Sequence, residues 1–182
     1  MARPIMNIDL IPAGPDLPKT INVFIEVPIG GEPVKYEFDK QAGVIKVDRI
    51  LHTPMRYPTN YGFIPQTLCD DGDPLDCLVM TRWSLMPGTV IEARPVGVLY
   101  LEDEAGGDEK LLAVPTTKIS PYYKDVHDYT DLPPIVVQQI EHFFTHYKDL
   151  ESEKWVRIGT WGDRDAAYEV VRQSVEKARA AK

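Results

Sequence analysis

Apolar and polar positions alternate with a period of two in the first third of the chain. Residues 21–27 (Ile-Asn-Val-Phe-Ile-Glu-Val) alternate well enough to predict a strand. After a turn at Gly30-Gly31, residues 34–39 alternate strictly, with Val34, Tyr36 and Phe38 on one face and Lys35, Glu37 and Asp39 on the other. A third strand is predicted over 44–49 after Gly43, and further strands over 90–101 and 110–114, joined by a turn at Gly106-Gly107. The apolar run Cys77-Leu78-Val79-Met80 puts Asp76, just before it, at the mouth of another strand. The period then lengthens. A helix opening at Asp131, with Pro133 in its first turn, would bury Val136, Ile140, Phe143, Phe144 and Tyr147. A second helix starts near Asp163 and carries Ala167, Val170, Val171 and Val175 as its apolar stripe. About five short strands followed by two helices predict an α+β fold, a small barrel flanked by helices. Function in such a fold sits on open strand faces and loops, so the polar face of the second strand is a candidate floor for a site.

Composition narrows the class. At 182 residues and 43% hydrophobic content the chain supports one ordinary core, and its 16 prolines fit many short elements joined by tight turns. A net charge of −8 argues against nucleic acid or an anionic membrane as the main partner and suits a protein that binds cations. No apolar run approaches the roughly 18 residues that span a bilayer. The first ten residues show no secretory pattern. Cys69 and Cys77, the only cysteines, are read as reduced, and the expected setting is cytoplasmic.

The candidate chemistry is acidic. Asp70-Asp71-Gly72-Asp73-Pro74-Leu75-Asp76 packs four carboxylates into seven residues, which repel one another unless a proton, a metal or a cationic group compensates them. Taken alone, the loop reads equally as a solvated turn or a cation site. An EF-hand is excluded by spacing: counted from Asp71, the sixth position is Asp76 rather than Gly and the twelfth is Arg82. A second acidic group, Glu102-Asp103-Glu104 with Asp108-Glu109, can fold back so that Asp103 and Asp108 share one end of a hairpin. That combination favours a metal site, and oxygen-only ligands select Mg²⁺ or Mn²⁺ over zinc. His142 and His146, four apart but without the Glu of a zinc-protease helix, are read as surface or packing residues. Lys35, Arg49, Lys110 and Lys148, with Tyr57, Tyr61 and Tyr147, could bind phosphate oxygens. Singly each is most simply a solvated charge or a packed phenol; together with divalent ions they suit a small polyanion.

The run Asp71-Gly72-Asp73-Pro74-Leu75-Asp76 resembles the D-x-D-P-x-D signature of soluble family I inorganic pyrophosphatases. The likeness extends in order through Glu26-Val27-Pro28, Lys35-Tyr36-Glu37, Asp48-Arg49, Tyr57-Pro58-x-Asn60-Tyr61-Gly62, Arg94-Pro95-Val96-Gly97, Asp103-Glu104-Ala105-Gly106, Asp108-x-Lys110 and His142-Phe143-Phe144-x-His146-Tyr147-Lys148. Its length resembles the short bacterial type. The resemblance implies one domain over residues 1–182, an OB-like five-stranded closed β-barrel with two C-terminal helices, and Mg²⁺-dependent hydrolysis of pyrophosphate to two orthophosphates. It further implies that Asp71, Asp76 and Asp108 hold a first metal and that Asp76 shares a second. Asp103 with Asp108 would take a metal arriving with substrate, and Glu26 would assist another through water. Asp73 becomes the general base, Tyr61 hydrogen-bonds or tunes it, and Glu37 joins the inner polar network. Lys35, Arg49, Tyr57, Lys110, Tyr147 and Lys148 bind phosphate, Asp70 has no role, and the expected assembly is a homo-hexamer.

Two other classes are weighed beside this. A single-stranded nucleic-acid module would need aromatic platforms along a basic groove, whereas these strand faces mix Glu and Asp with Lys and Tyr. A divalent-cation buffer would not need four cationic side chains at the same site.

Overall fold

The structure, a computed structural model, describes residues 6–181. The first five residues, part of the stretch read above for a leader, lie outside this range. Strand β1 (Ile21–Val27) pairs antiparallel with β4 (Asn60–Phe63), which pairs antiparallel with β5 (Asp76–Val79). β5 runs parallel to β7 (Gly106–Pro115), β7 is antiparallel to β6 (Val90–Asp103), and β6 returns to β1. Five strands therefore make a near-closed ring in the order β1-β4-β5-β7-β6. β8 (Val156–Gly162) adds to β6 outside the ring, and β2 (Val34–Asp39) pairs only with β3 (Val44–Ile50) as a separate hairpin. The ring thus differs in membership from the strands that alternation predicts: β2 and β3 stand apart, while β4 and β5 take their places.

Burial on both faces explains the difference. Along β7, Leu111 and Ala113 pack with Ala167, Val171 and Val175 of helix α2 (Arg164–Ala180), while Leu112 and Val114 pack with Ile140, Phe143 and Phe144 of helix α1 (Pro134–His146). A strand covered twice reads as an unbroken apolar run rather than an alternating one. The hairpin is seated on the ring by a third cluster, in which Phe38 meets Phe24 with ring centroids 5.0 Å apart and Phe63 packs beside them.

Two predicted boundaries move. Helix α1 opens at Pro134, not Asp131, because the residue before a proline is steered out of the helical region and Leu132 and Pro133 are extended (ψ 151° and 132°). Asp131 closes a 3₁₀ turn instead, accepting from the backbone N–H groups of His127 and Asp128 at 2.8 and 2.9 Å. The β6–β7 turn falls on Glu104 and Ala105, since Asp103 pairs with Gly106, and Gly106-Gly107 already belongs to β7. Gly106 supplies the positive φ (+123°) there, and Asp103 accepts from the N–H of Ala105 at 2.8 Å. Asp163 caps α2 as expected, accepting from Ala166 N–H at 2.9 Å.

Candidate active site

Between the hairpin, the open ends of β1, β4, β5, β6 and β7, and the segment after α1 lies a cleft of about 400 Å³. Glu26 reaches it from β1, Lys35 and Glu37 from β2, Arg49 from β3 and Tyr61 from β4. Asp71 and Asp73 come from the acidic loop, Asp76 from the first residue of β5, Asp103 from the end of β6, and Asp108 and Lys110 from β7. Tyr57, Tyr147 and Lys148 complete the wall. Every candidate site residue of the sequence analysis therefore meets at one place. Asp39, on the predicted polar face of β2, does not: it turns to Lys46 at 3.0 Å and to the N–H of Ala42 at 2.9 Å. Asp70 also lies outside, bonded to Lys177 of α2.

The acidic loop is rigid at its base and open at its tip. Leu75 is fully buried, and its N–H bonds Thr67 Oγ1 at 2.9 Å, which sets Asp76 at the strand mouth. Upstream, Asp71 Oδ1 accepts from the N–H of Asp73 at 2.9 Å, Gly72 takes φ +90°, and both carboxylates stay exposed.

Two lysines thread the carboxylates together. The Lys110 ammonium bonds Asp76 and also Asp108 Oδ1 at 2.8 Å, and the Tyr61 hydroxyl donates to the same Asp76 carboxylate at 2.7 Å. Burial works against the lysine charge, yet Asp76 and Asp108 hold it protonated, above its ordinary range. Lys148 Nζ lies 2.9 Å from Asp103 and 3.1 Å from Glu104. Burial opposes the Asp103 charge, but Lys148 and the Ala105 N–H keep its carboxyl below the usual range. Glu26 differs: burial pushes it up to about 8, against the bond it receives from Phe38 N–H at 2.7 Å and with Asp76 adding to the rise. Burial likewise raises the Tyr57 and Tyr61 phenols well above their normal value, so both remain hydrogen-bond donors.

The cleft also holds residues to which the sequence analysis gives no role. Lys40, Glu104 and Lys154 line it. Behind Arg49 lies Glu151, almost wholly buried, accepting from Arg49 Nε at 3.1 Å. Glu104 stood in the acidic group by sequence, but its partner Lys148 is 44 positions away; Glu151 carries no local signal.

The donor set fits hard divalent cations. Among the described residues no His or Cys lines the cleft, and eight carboxyl side chains face six Lys and Arg. Among the described residues no three His, Cys, Asp or Glu side chains already close on one point; lysine ammonium groups stand between the carboxylates instead.

A family model described as inorganic pyrophosphatase matches residues 23–179. An inorganic pyrophosphatase of Bradyrhizobium diazoefficiens is 56% identical over 174 residues, covering 96% of this chain and 98% of that protein. One from Pseudomonas aeruginosa is 57% identical over 170 residues, 93% and 97% of the two chains. Among solved structures, the inorganic pyrophosphatase of Thermus thermophilus superposes with a TM-score of 0.91 at 44% identity, covering 95% of this chain and 99% of that one.

Proposed function

The chain belongs to the inorganic pyrophosphatase family, and from that membership we propose that it hydrolyses pyrophosphate to two orthophosphates in a Mg²⁺-dependent reaction, with Asp73 as general base. The observation that carries the metal dependence is the charge of the cleft. Of its eight carboxyl groups Glu26 keeps a proton at neutral pH, yet the seven others still outnumber the six cationic side chains, a balance that repels a pyrophosphate anion unless divalent cations enter with it.

Asp71, Asp76 and Asp108 would hold a first Mg²⁺ and Asp76 would share a second; Asp103 with Asp108 would take one that accompanies substrate, and Glu26 would assist a further one through water. Bound Mg²⁺, or Mn²⁺ in its place, supplies positive charge for phosphate oxygens and lowers the pKa of water towards neutrality.

The protein's own part is binding, orientation and proton transfer. Lys35, Arg49, Tyr57, Lys110, Tyr147 and Lys148 line the cleft and would donate to phosphate oxygens, spreading the charge that develops on the leaving phosphate. Asp73, exposed at the loop tip, is free to accept a proton from the attacking water. Tyr61 fixes Asp76 through its 2.7 Å bond and keeps the ligand beside the base oriented. Glu37, bonded to Lys35, belongs to the inner polar network. Among the described residues no nucleophilic Ser or Cys lines the site, which suits attack by water.

Phosphate release from pyrophosphate in Mg²⁺, with ATP as control, tests the reading; no release from pyrophosphate would overturn it. A cytoplasmic homo-hexamer is part of the same proposal, resting on the resemblance. Exposed Trp83, Met86, Tyr122 and Ile135 are compatible with self-association, and among the described residues no helix is long and apolar enough to cross a membrane. A sedimentation mass equal to one chain would contradict the hexamer.

A further inference from the structure

We propose that Glu151 is a positioning residue for the reaction: from behind the cleft it locks the Arg49 guanidinium in the orientation that receives a phosphate oxygen. This rests on the phosphate-binding role given to Arg49 above. Glu151 does not line the cleft, so any effect on substrate passes through its partners. Its side chain is 5% exposed, one of the most buried carboxylates in the protein. One oxygen accepts from Arg49 Nε at 3.1 Å and the other from Lys154 Nζ at 3.2 Å.

The geometry distinguishes a positioning device from a simple ion pair. A guanidinium is a planar fork, so holding two of its nitrogens fixes the direction of the third. Glu151 takes Nε and Asp48 takes Nη1 at 2.8 Å. Among the described residues Nη2 has no protein partner, and the Arg49 side chain faces the cleft. A single contact with Asp48, its sequence neighbour, would leave the fork free to swing. The second contact comes from 102 positions away, on the segment that also carries Tyr147 and Lys148. It therefore ties the β2–β3 hairpin, which shares no strand pairing with the ring, to the opposite wall of the cleft. Burial disfavours the Glu151 charge, but its bonds from Arg49 and Lys154 hold the carboxyl below the ordinary range, so the clamp is ionised at neutral pH.

The test is a double-mutant cycle on the full-length enzyme, read as KM and kcat for pyrophosphate at saturating Mg²⁺. Glu151→Ala risks misfolding, so Glu151→Gln, which keeps the shape and loses the charge, carries the test, and thermal midpoints are recorded for both. Glu151→Gln should raise KM about fivefold with kcat within about twofold, because a guanidinium left free to swing loosens its grip on the phosphate oxygen in the ground state and the transition state alike. In an Arg49→Lys background, which has no fork to orient, the same change should alter KM less than about twofold. A normal KM in a folded Glu151→Gln enzyme, or an equal KM effect in both backgrounds, overturns the proposal. Failure of the unmutated protein to hydrolyse pyrophosphate would instead overturn the functional reading beneath it.

Discussion

Asp76 and Lys110 sit directly opposite each other where β5 runs parallel to β7, and the Lys110 ammonium bonds the Asp76 carboxylate. The same ammonium reaches back two residues to Asp108 at 2.8 Å. Strand register thus writes the charge balance of the cleft: a one-residue slip would turn Lys110, with Asp108 beside it, to the other face of the sheet and leave Asp76 without its lysine.

Replacing that ammonium should expose the repulsion it hides. Lys110→Met removes the one cation between Asp76 and Asp108, and unpairing buried charges costs about 3 kcal/mol. Urea denaturation in EDTA should show a loss of that order, and Mg²⁺ should restore part of it. An unchanged midpoint in EDTA would mean the pair carries no such load.

Among the described residues Asp73 is the acid of the loop whose carboxylate accepts no hydrogen bond: Asp70 pairs with Lys177, Asp71 takes the Asp73 N–H, and Asp76 holds Lys110 and Tyr61. Asp73→Asn should cut turnover about a hundredfold or more, the usual contribution of a general base, while Mg²⁺ binding measured by calorimetry stays close to wild type. Near-normal turnover would remove Asp73 from the role of base.

Gly62 pairs with Ile25 where β4 crosses β1, and a methyl group there would overlap the backbone carbonyl of Phe24. Because backbone cannot swing aside, Gly62→Ala should destabilise the protein by about 3 kcal/mol and disturb Tyr61 next to it. Equal urea midpoints for variant and wild type would show that the strands can separate at that crossing.

Legibility followed solvent exposure. The hairpin strand β2, with one wetter face, announces itself through Lys35, Tyr36, Glu37 and Phe38, and the motif residues reach one cleft as the resemblance implies. β4 is hidden: four buried residues, Asn60–Phe63, with a glycine among them, carry no alternation. β8 is hidden for the opposite reason, with none of its seven residues fully buried and Gly159 interrupting its pattern. At the site, residue types were legible but partners were not. The pairings of Lys148 with Asp103 and of Arg49 with Glu151 join positions 45 and 102 apart, and only the packing of ring, hairpin and the segment after α1 brings them together.

Glu26 gives the protein a pH signature when metal is removed. Burial raises its carboxyl from an ordinary value of 4.5 to about 8, so across that window the native state keeps a proton that the unfolded chain has released. Stability must then fall as pH rises from about 4.5 to about 8. Glu26→Gln, neutral throughout, should flatten the decline in urea midpoints measured in EDTA at about pH 4.5 and about pH 8.5, the two ends of that window. A slope unchanged by the substitution would contradict the assignment to Glu26.

On the proposed function, the carboxylates of this cleft hold divalent cations around pyrophosphate. Phosphate release measured against Mg²⁺ concentration, for wild type and Asp76→Asn together, tests that role directly. Wild type should be inactive in EDTA and saturate with Mg²⁺, and Asp76→Asn should need about tenfold more Mg²⁺ or beyond to reach half its maximum. Release that persists in EDTA, or the same Mg²⁺ midpoint for both proteins, would rule out that role for the carboxylates.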